Sequence, residues 1–585
     1  MRLSDWIQSS WVLAAEARRL TINRVWRGRR LRWRAKSGNA TSFRLALKDL
    51  HEGDRDQAGT YYLGQYTFLG ETIETEGQSP FQVSEASESW LRQLHSFQWL
   101  RHLDAVKSDL ANAQGAAYIL DWITQHSTSR ESAAWDADVV SERLIAWSAH
   151  APGFFVRADG VSRRQVLRSM DVQAQFLARA LTGLRDGYPK LQAIIALNHA
   201  LCCTQTRDGT HRRFRRLLDR ELSRQVQADG THISRNPGLI PVILAQLLPL
   251  RDACLAQDEQ PTPELLGAID RLTTALTFFR HATGELAQFN GTGQVSPMLL
   301  AALDEETDTQ PNTQRSAPYG GYERLQAGKT VLLMDTGSPV SRHVEQCAMA
   351  GCLSYELSSG KNLVITNCGL PAPGFEAYLP FARATAAHST ATIDDTSSCH
   401  FADSAKLRSW LPGALVAHPE HVDVDRQSAD GHDRVVASHD GYARTHGLIH
   451  RRTLELSDDG STINCADRFE PTSSGDNQTG SPLALRFHLA PDITASLLAN
   501  GHSIVLAAPN RETWTFTCVD APIALEESIR FCAPEGPRKC EQIVVLGHSR
   551  QNREIRWTLV RRAKTGPART RKAKEAAPDL LERMV

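Results

Sequence analysis

A histidine among small and hydroxyl side chains can act as a base, a metal ligand or a charge clamp. Residues 383–390, RATAAHST, set His388 in that company, with Arg383 five positions upstream. The bland reading is a buried histidine hydrogen-bonded to Ser389 or Thr390; the functional one has His388 at work as a base, a ligand or a clamp. His450 in HRR and His488 in RFH alternate with apolar residues and read as strand-face packing. Tyr319, Tyr322 and Tyr355 bring phenols that no neighbour aims. Asp394–Asp395 and Asp458–Asp459 suit turns better than acid–base work. The 11 cysteines are scattered except for Cys202 and Cys203, without zinc-knuckle or CxxC spacing, so reduced thiols are predicted rather than a disulfide framework.

Two different periods organise the elements that must position these side chains. From about residue 90 to 310 apolar residues recur at helical spacing, as in VVSERLIAWSAH (139–150), LQAIIALNHALCC (191–203) and ELLGAIDRLTTALTFF (264–279). Short connectors with Gly, Pro and Asp separate them, as in helical hairpins packed side by side. After about residue 318 short alternating or β-branched runs take over, among them TVLLMDTG (330–337), NLVITNCG (362–369) and REIRWTLVRR (553–562). Turn residues punctuate them, the signature of a large antiparallel β domain. The polar stretch 303–317 is the predicted linker. Residues from 563 onward read as a disordered basic tail.

Bulk composition excludes several classes. Sixty-six basic residues balance 66 acidic ones, so no global field points to nucleic acid. The first 20 residues lack a signal-peptide apolar core, and no run approaches the ~20 apolar residues that span a bilayer. A cytoplasmic location and no transmembrane segment follow as expectations. The basic, Trp-bearing stretch RRLTINRVWRGRRLRWRAK reads either as a segment packed on the helical half or as a peripheral membrane contact.

An α-helical half followed by a large β half, with a particular set of strings, resembles the heparinase II/III-like proteins. The strings are GETIETEG (70–77), LHSFQWLRHL (94–103), ERLIAW (142–147) and DGTHISRNP (229–237), then GYERLQAGKTVLLMDTG (321–337), LSYELSSGKNLVITNCG (353–369), RATAAHST, LIHRRTLEL (448–456) and RFHLAP (486–491). The resemblance runs from about residue 60 to 562. It implies an α+β multidomain chain: a basic segment over 1–60, an incomplete (α/α) toroid over 61–310 and an antiparallel β-sandwich domain over 318–562. It also implies a polysaccharide lyase acting by β-elimination on a uronic-acid polysaccharide at the cleft between toroid and β domain. The family's setting makes a periplasmic or envelope location the alternative to the cytoplasm. Such chemistry needs a base for the C5 proton, a clamp on the adjacent carboxylate and an acid for the leaving oxygen.

Carried onto this chain, the resemblance makes His232 and His388 the catalytic candidates. Arg235, Asn236, Arg383, Asn198, His199 and Tyr355 are the substrate-binding candidates. His232 and Arg235 alternate along a loop that begins at a DG turn, so they can point one way. The departures are as informative. The family's tyrosine falls near Leu239 and is absent. In CAMAGCLSYELSSG (347–360) Cys347 and Met349 stand in the two histidine places and Gly351 in that of the acid, while Asn367 occupies a further ligand's position. Only His388 remains of that set, with Cys347 and Cys352 as soft substitutes, so no metal and no cofactor are predicted. Two readings follow: a metal-independent lyase, or a scaffold that has lost its chemistry and only binds acidic glycan.

Overall fold

The computed structural model describes residues 18, 21, 40–127, 133–205, 210–307, 314–340, 348–401, 415–429, 432–472, 480–533 and 535–562. The basic N-terminal segment (Arg18 and Thr21 apart), Cys347 and the tail from 563 lie outside these residues. Through Thr307 the chain is mainly helical, and from Ser316 it is mainly antiparallel strand. A helical half followed by an antiparallel β half is the order expected from the two periods, and it matches the toroid-plus-sandwich build that the resemblance implies.

The helices begin where the sequence supplies caps. Ser108, Asp159 and Thr262 accept hydrogen bonds from first-turn backbone N–H groups of Asp109–His126, Gly160–Ala180 and Pro263–Phe278. The Tyr188–Cys203 helix packs on Ala137–Phe154 and on Leu239–Leu255, and it is buried almost throughout from Leu191 to Leu201. Among the described residues no helix is long and apolar enough to cross a membrane. The stretch 303–317 is not a structureless linker: Pro297–Thr307 carries the last long helix into it, and the strand Ser316–Ala317 closes it. Apolar Leu299, Leu300 and Leu303 bury one side of that helix, which outweighs the acidic run Asp304–Glu305–Glu306 on the other.

The strands form a nine-stranded and an eight-stranded antiparallel sheet. Tyr355 and Phe487 of the first sheet meet Trp557 and Phe516 of the second, with the Tyr355 and Trp557 rings stacked 5.7 Å apart. One core lies between the sheets and another inside the helical half. In the second sheet Leu448–Ser457 alternates buried and half-buried positions, whereas Thr330–Asp335 and Tyr355–Ser359 of the first are buried at every position. The reason is that these two central strands are covered twice. Leu332, Met334, Tyr355 and Leu357 face the sandwich core, while Val331 and Leu333 join the helical core. Period-two alternation then sends Asp335, Glu356 and Ser358 towards the helices.

Candidate functional site

Asp335 and Glu356 are therefore buried carboxylates at the seam of the two halves, and each is met by the helical half. Arg235 reaches Asp335 Oδ1 through Nη2, Asn290 Nδ2 donates to Oδ2 at 2.8 Å, and Gly337 N–H donates to Oδ1 at 3.1 Å. The rest of the Arg235 guanidinium donates to backbone carbonyls, Gly337 O at 2.9 Å, Ser338 O at 2.8 Å and Gly321 O at 3.1 Å among them. It also lies 4.9 Å over the Tyr322 ring, and the Tyr322 hydroxyl donates back to Arg235 O. Arg235 has φ +59°, the left-handed region, and its N–H donates to His232 O at 2.8 Å. Gly337 has to be glycine: a Cβ there would stand 2.5 Å from Arg235 Nη2.

Glu356 accepts from four donors: His281 Nε2 at 2.9 Å, Gln288 N–H at 2.9 Å, Asn367 N–H at 2.7 Å and Thr366 Oγ1 at 3.1 Å. Burial alone would raise its pKa. The His281 hydrogen bond and charge, with the Asn367 and Gln288 N–H groups, more than offset this and hold the carboxyl below the usual glutamate value. His281 also meets Ser358 Oγ at 3.1 Å. A third tie is the Arg324 guanidinium, which donates to Phe278 O at 2.8 Å and Arg280 O at 2.7 Å.

His232 is 1% exposed and neutral, burial having lowered its pKa to about 3. The amide oxygen Gln225 Oε1 lies 2.9 Å from Nε2 and can only accept, so Nε2 carries the proton. Nδ1 then accepts, from Ser234 Oγ at 2.7 Å and Ser234 N–H at 3.1 Å. This ring has no lone pair left for a substrate proton. Asn236 is equally committed: Nδ2 donates to Gly291 O at 3.1 Å, and Oδ1 accepts from Gly238 N–H and Thr292 Oγ1.

His388 is different. Its Nδ1 lies 2.9 Å from Ala384 O, an acceptor, so Nδ1 holds the proton and Nε2 the lone pair. The ring packs on Gly351, where a Cβ would stand 2.6 Å from Cδ2 and 3.1 Å from Nε2. Burial lowers its pKa, while the Ala384 hydrogen bond and the negative charges of Asp335 and Glu356 oppose that effect. His388 is thus within the electrostatic reach of both seam carboxylates. Arg452, inside the sandwich, fixes this segment by donating to Ser389 O at 2.8 Å and Leu353 O at 2.9 Å while paired with Asp467. Asp467 also accepts from His450 Nε2 at 2.7 Å, which makes His450 a structural partner.

The remaining predicted residues are dispersed. Arg383 Nε donates to Ala348 O at 2.9 Å, and its guanidinium covers Phe401 at 4.4 Å. Tyr355 belongs to the sandwich core, on the face of its strand opposite Glu356. Asn198 donates to Ile194 O and Phe214 O, and His199 Nε2 donates to Gln246 O at 2.7 Å, both within the helical half. The seam partners Asp335, Glu356, His281, Gln288 and Asn290 were not singled out from the sequence. Their signals were a carboxylate inside each of the apolar strings TVLLMD and LSYEL, and the string HATGELAQFNG (281–291) between helical periods.

Comparison with known proteins agrees with this architecture. Residues 309–558 match the family model of the heparinase II/III-like C-terminal domain. FtsZ-localized protein C of Caulobacter vibrioides (strain NA1000 / CB15N) is 28% identical over 500 residues, covering 82% of this chain and 84% of that protein. Among solved structures, heparinase III superposes with a TM-score of 0.67 at 13% identity, over 91% of this chain and 88% of that one. A mutant of the heparan sulfate lyase HepC from Pedobacter heparinus gives 0.61 at 12% identity, over 95% of this chain and 88% of that one. At such identities the two structures share the fold.

Proposed function

Starting from a heparinase II/III-like C-terminal domain joined to a toroid, we propose that this protein is a glycan-binding scaffold that holds an acidic polysaccharide at the seam without cleaving it. The carrying observation is that His232, Arg235 and Asn236 have their polar atoms taken up by neighbours within the protein. β-Elimination needs a base, a carboxylate clamp and an acid together. The helical loop of this chain offers none of the three in available form, and Leu239 stands where a phenol would be required. His388 Nε2 retains an imidazole lone pair and is the residue on which the competing lyase reading rests.

The name of the Caulobacter relative, FtsZ-localized protein C, associates that protein with FtsZ. A scaffold recruited to the division site, with its basic N-terminal segment as a peripheral membrane contact, is the cellular form of this proposal. The direct test incubates purified protein with heparin, heparan sulfate, hyaluronan, alginate and uronate-containing exopolysaccharides, following the ultraviolet absorbance of unsaturated uronate. The expected trace is flat while at least one acidic glycan still binds. An absorbance rise removed by His388→Ala and unaffected by chelator would replace the scaffold with a metal-free lyase.

A further inference from the structure

The principal arginines of the seam and the sandwich centre have partners that absorb their charge or their donors. Arg235 holds Asp335, Arg452 holds Asp467, and Arg324 and Arg383 donate to main-chain carbonyls. Arg530, at the end of the Ile523–Arg530 strand, is arranged otherwise. Its Nη1 donates to Thr366 Oγ1 at 3.0 Å, and among the described residues no carboxylate oxygen comes within 4.0 Å of it. The residue is partly exposed, and in register across the hairpin it faces another arginine, Arg538. Two like charges directly opposite are unfavourable unless an anion lies between or beside them.

Gln288 adjoins Arg530 through the Glu356 cluster. Thr366 Oγ1, which accepts from Arg530, donates to Glu356 Oε1, and Gln288 N–H donates to Glu356 Oε2. The Gln288 side chain is buried (7% exposed), yet its Oε1 has no hydrogen-bond partner. A buried acceptor left unmatched costs about 1–3 kcal/mol, which a ligand hydroxyl would recover. Gly369, at φ +75°, packs directly against it: a Cβ there would stand 2.9 Å from Gln288 Oε1 and 2.8 Å from Cys532 Cβ, so only glycine fits and a ligand hydroxyl reaches Oε1 once this side chain turns outward. A guanidinium that feels Glu356 and Glu285 only at a distance, with no carboxylate among the described residues in ion-pair contact, thus sits near an unmatched acceptor.

From this juxtaposition we infer that Arg530 and Gln288 form the anion-reading contact for an acidic sugar unit. The Arg530 guanidinium takes the sugar's carboxylate or sulfate, and Gln288 Oε1 accepts from a hydroxyl of the same unit. The inference rests on the glycan-binding reading and places its recognition beside the Glu356 cluster of the seam, at Arg530 of the edge strand, rather than at Arg235 and Arg383.

The test is calorimetric titration of the full-length protein with three oligosaccharides of equal length. One is a galacturonate oligomer carrying carboxylates only, one a heparin oligomer carrying sulfates as well, and one a neutral dextran. For the charged oligomer that binds wild type, Arg530→Gln weakens affinity by about tenfold or more, the scale of one charge-assisted hydrogen bond. Arg530→Lys, which keeps the charge but loses the planar fork, falls between the two. Gln288→Leu weakens binding to charged oligomers by about fivefold. Arg383→Gln leaves binding unchanged. Binding of galacturonate assigns the site to carboxylate; binding of heparin alone assigns it to sulfate. If Arg530→Gln does not fold, the Arg530→Lys and Gln288→Leu titrations decide. Wild-type affinity in the arginine and glutamine variants overturns this inference and leaves the scaffold reading standing. Absence of binding by wild type to every charged oligomer overturns the scaffold reading itself.

Discussion

Arg235 and Asp335, a hundred positions apart, meet as an ion pair with side chains 8% and 3% exposed, one from each half of the molecule. Removing one partner strands the other without water, so Asp335→Ala is expected to lower stability by about 3–5 kcal/mol. Replacing both, as in Arg235→Met with Asp335→Leu, is expected to cost less than Asp335→Ala alone. Denaturant midpoints of the three proteins check the ordering.

The second seam carboxylate gives a pH dependence with a defined sign. The folded-state pKa of Glu356 lies below its ordinary 4.5, so its stabilisation is complete above that value and is lost as pH falls through the folded pKa. Melting temperatures of wild type and Glu356→Gln should therefore lie furthest apart near neutrality and converge on acidification. A gap that stays constant from pH ~7 to ~3 would contradict the assignment.

His150 predicts the opposite slope. It sits with Nε2 3.3 Å from Asp49 and Nδ1 3.5 Å from Asp104, with Arg101 and His51 also against Asp49. Burial would lower its pKa, but hydrogen bonds and charge from the two aspartates raise it above 6.5. Its contribution is full below that value and is lost as pH rises through the folded pKa. His150→Gln should cost more stability at pH ~6 than at pH ~9, measured by thermal unfolding in matched buffers.

Much of the architecture was legible because the two halves have different hydrophobic periods and a strand such as Leu448–Ser457 shows its alternation openly. The seam was harder to read. Thr330–Asp335 and Tyr355–Ser359 are covered on both faces, so their apolar residues do not mark which side meets the helices. His232 shows the limit at the site. Its position after a DG turn was plain, but its protonation state is set by Gln225, seven residues earlier in a helix, and no local pattern reports that bond.

Gly351 offers a probe of His388. Gly351→Ala places a methyl group 2.6 Å from Cδ2, so the ring must rotate or the segment shift, at an expected cost of about 1–3 kcal/mol. Imidazole NMR signals of His388 should move, while those of His450, held by Asp467 inside the sandwich, should not. Unchanged His388 signals would refute the packing described.

His232 should behave as a structural residue. His232→Ala leaves Gln225 and Ser234 without their buried partner, an expected loss of about 1–3 kcal/mol. Glycan affinity measured on the folded fraction should stay at the wild-type value. A selective loss of affinity without loss of stability would return His232 to the binding surface.

Among the described ties between the halves, three are made by charged side chains on adjacent strands: Arg324 on the strand Tyr322–Ala327, Asp335 on Thr330–Asp335, and Glu356 on Tyr355–Ser359. The three strands are consecutive neighbours in one sheet. In mechanical terms this is a three-point mount. A body held at two points still swings about the line between them, whereas a third point off that line removes the swing. The toroid can lift from the sandwich only by letting go of at least one mount, so rigid hinging is not a free motion of this molecule. A polymer drawn taut along the seam would load the sheet across its strands and pass tension from one half to the other as through a bracket.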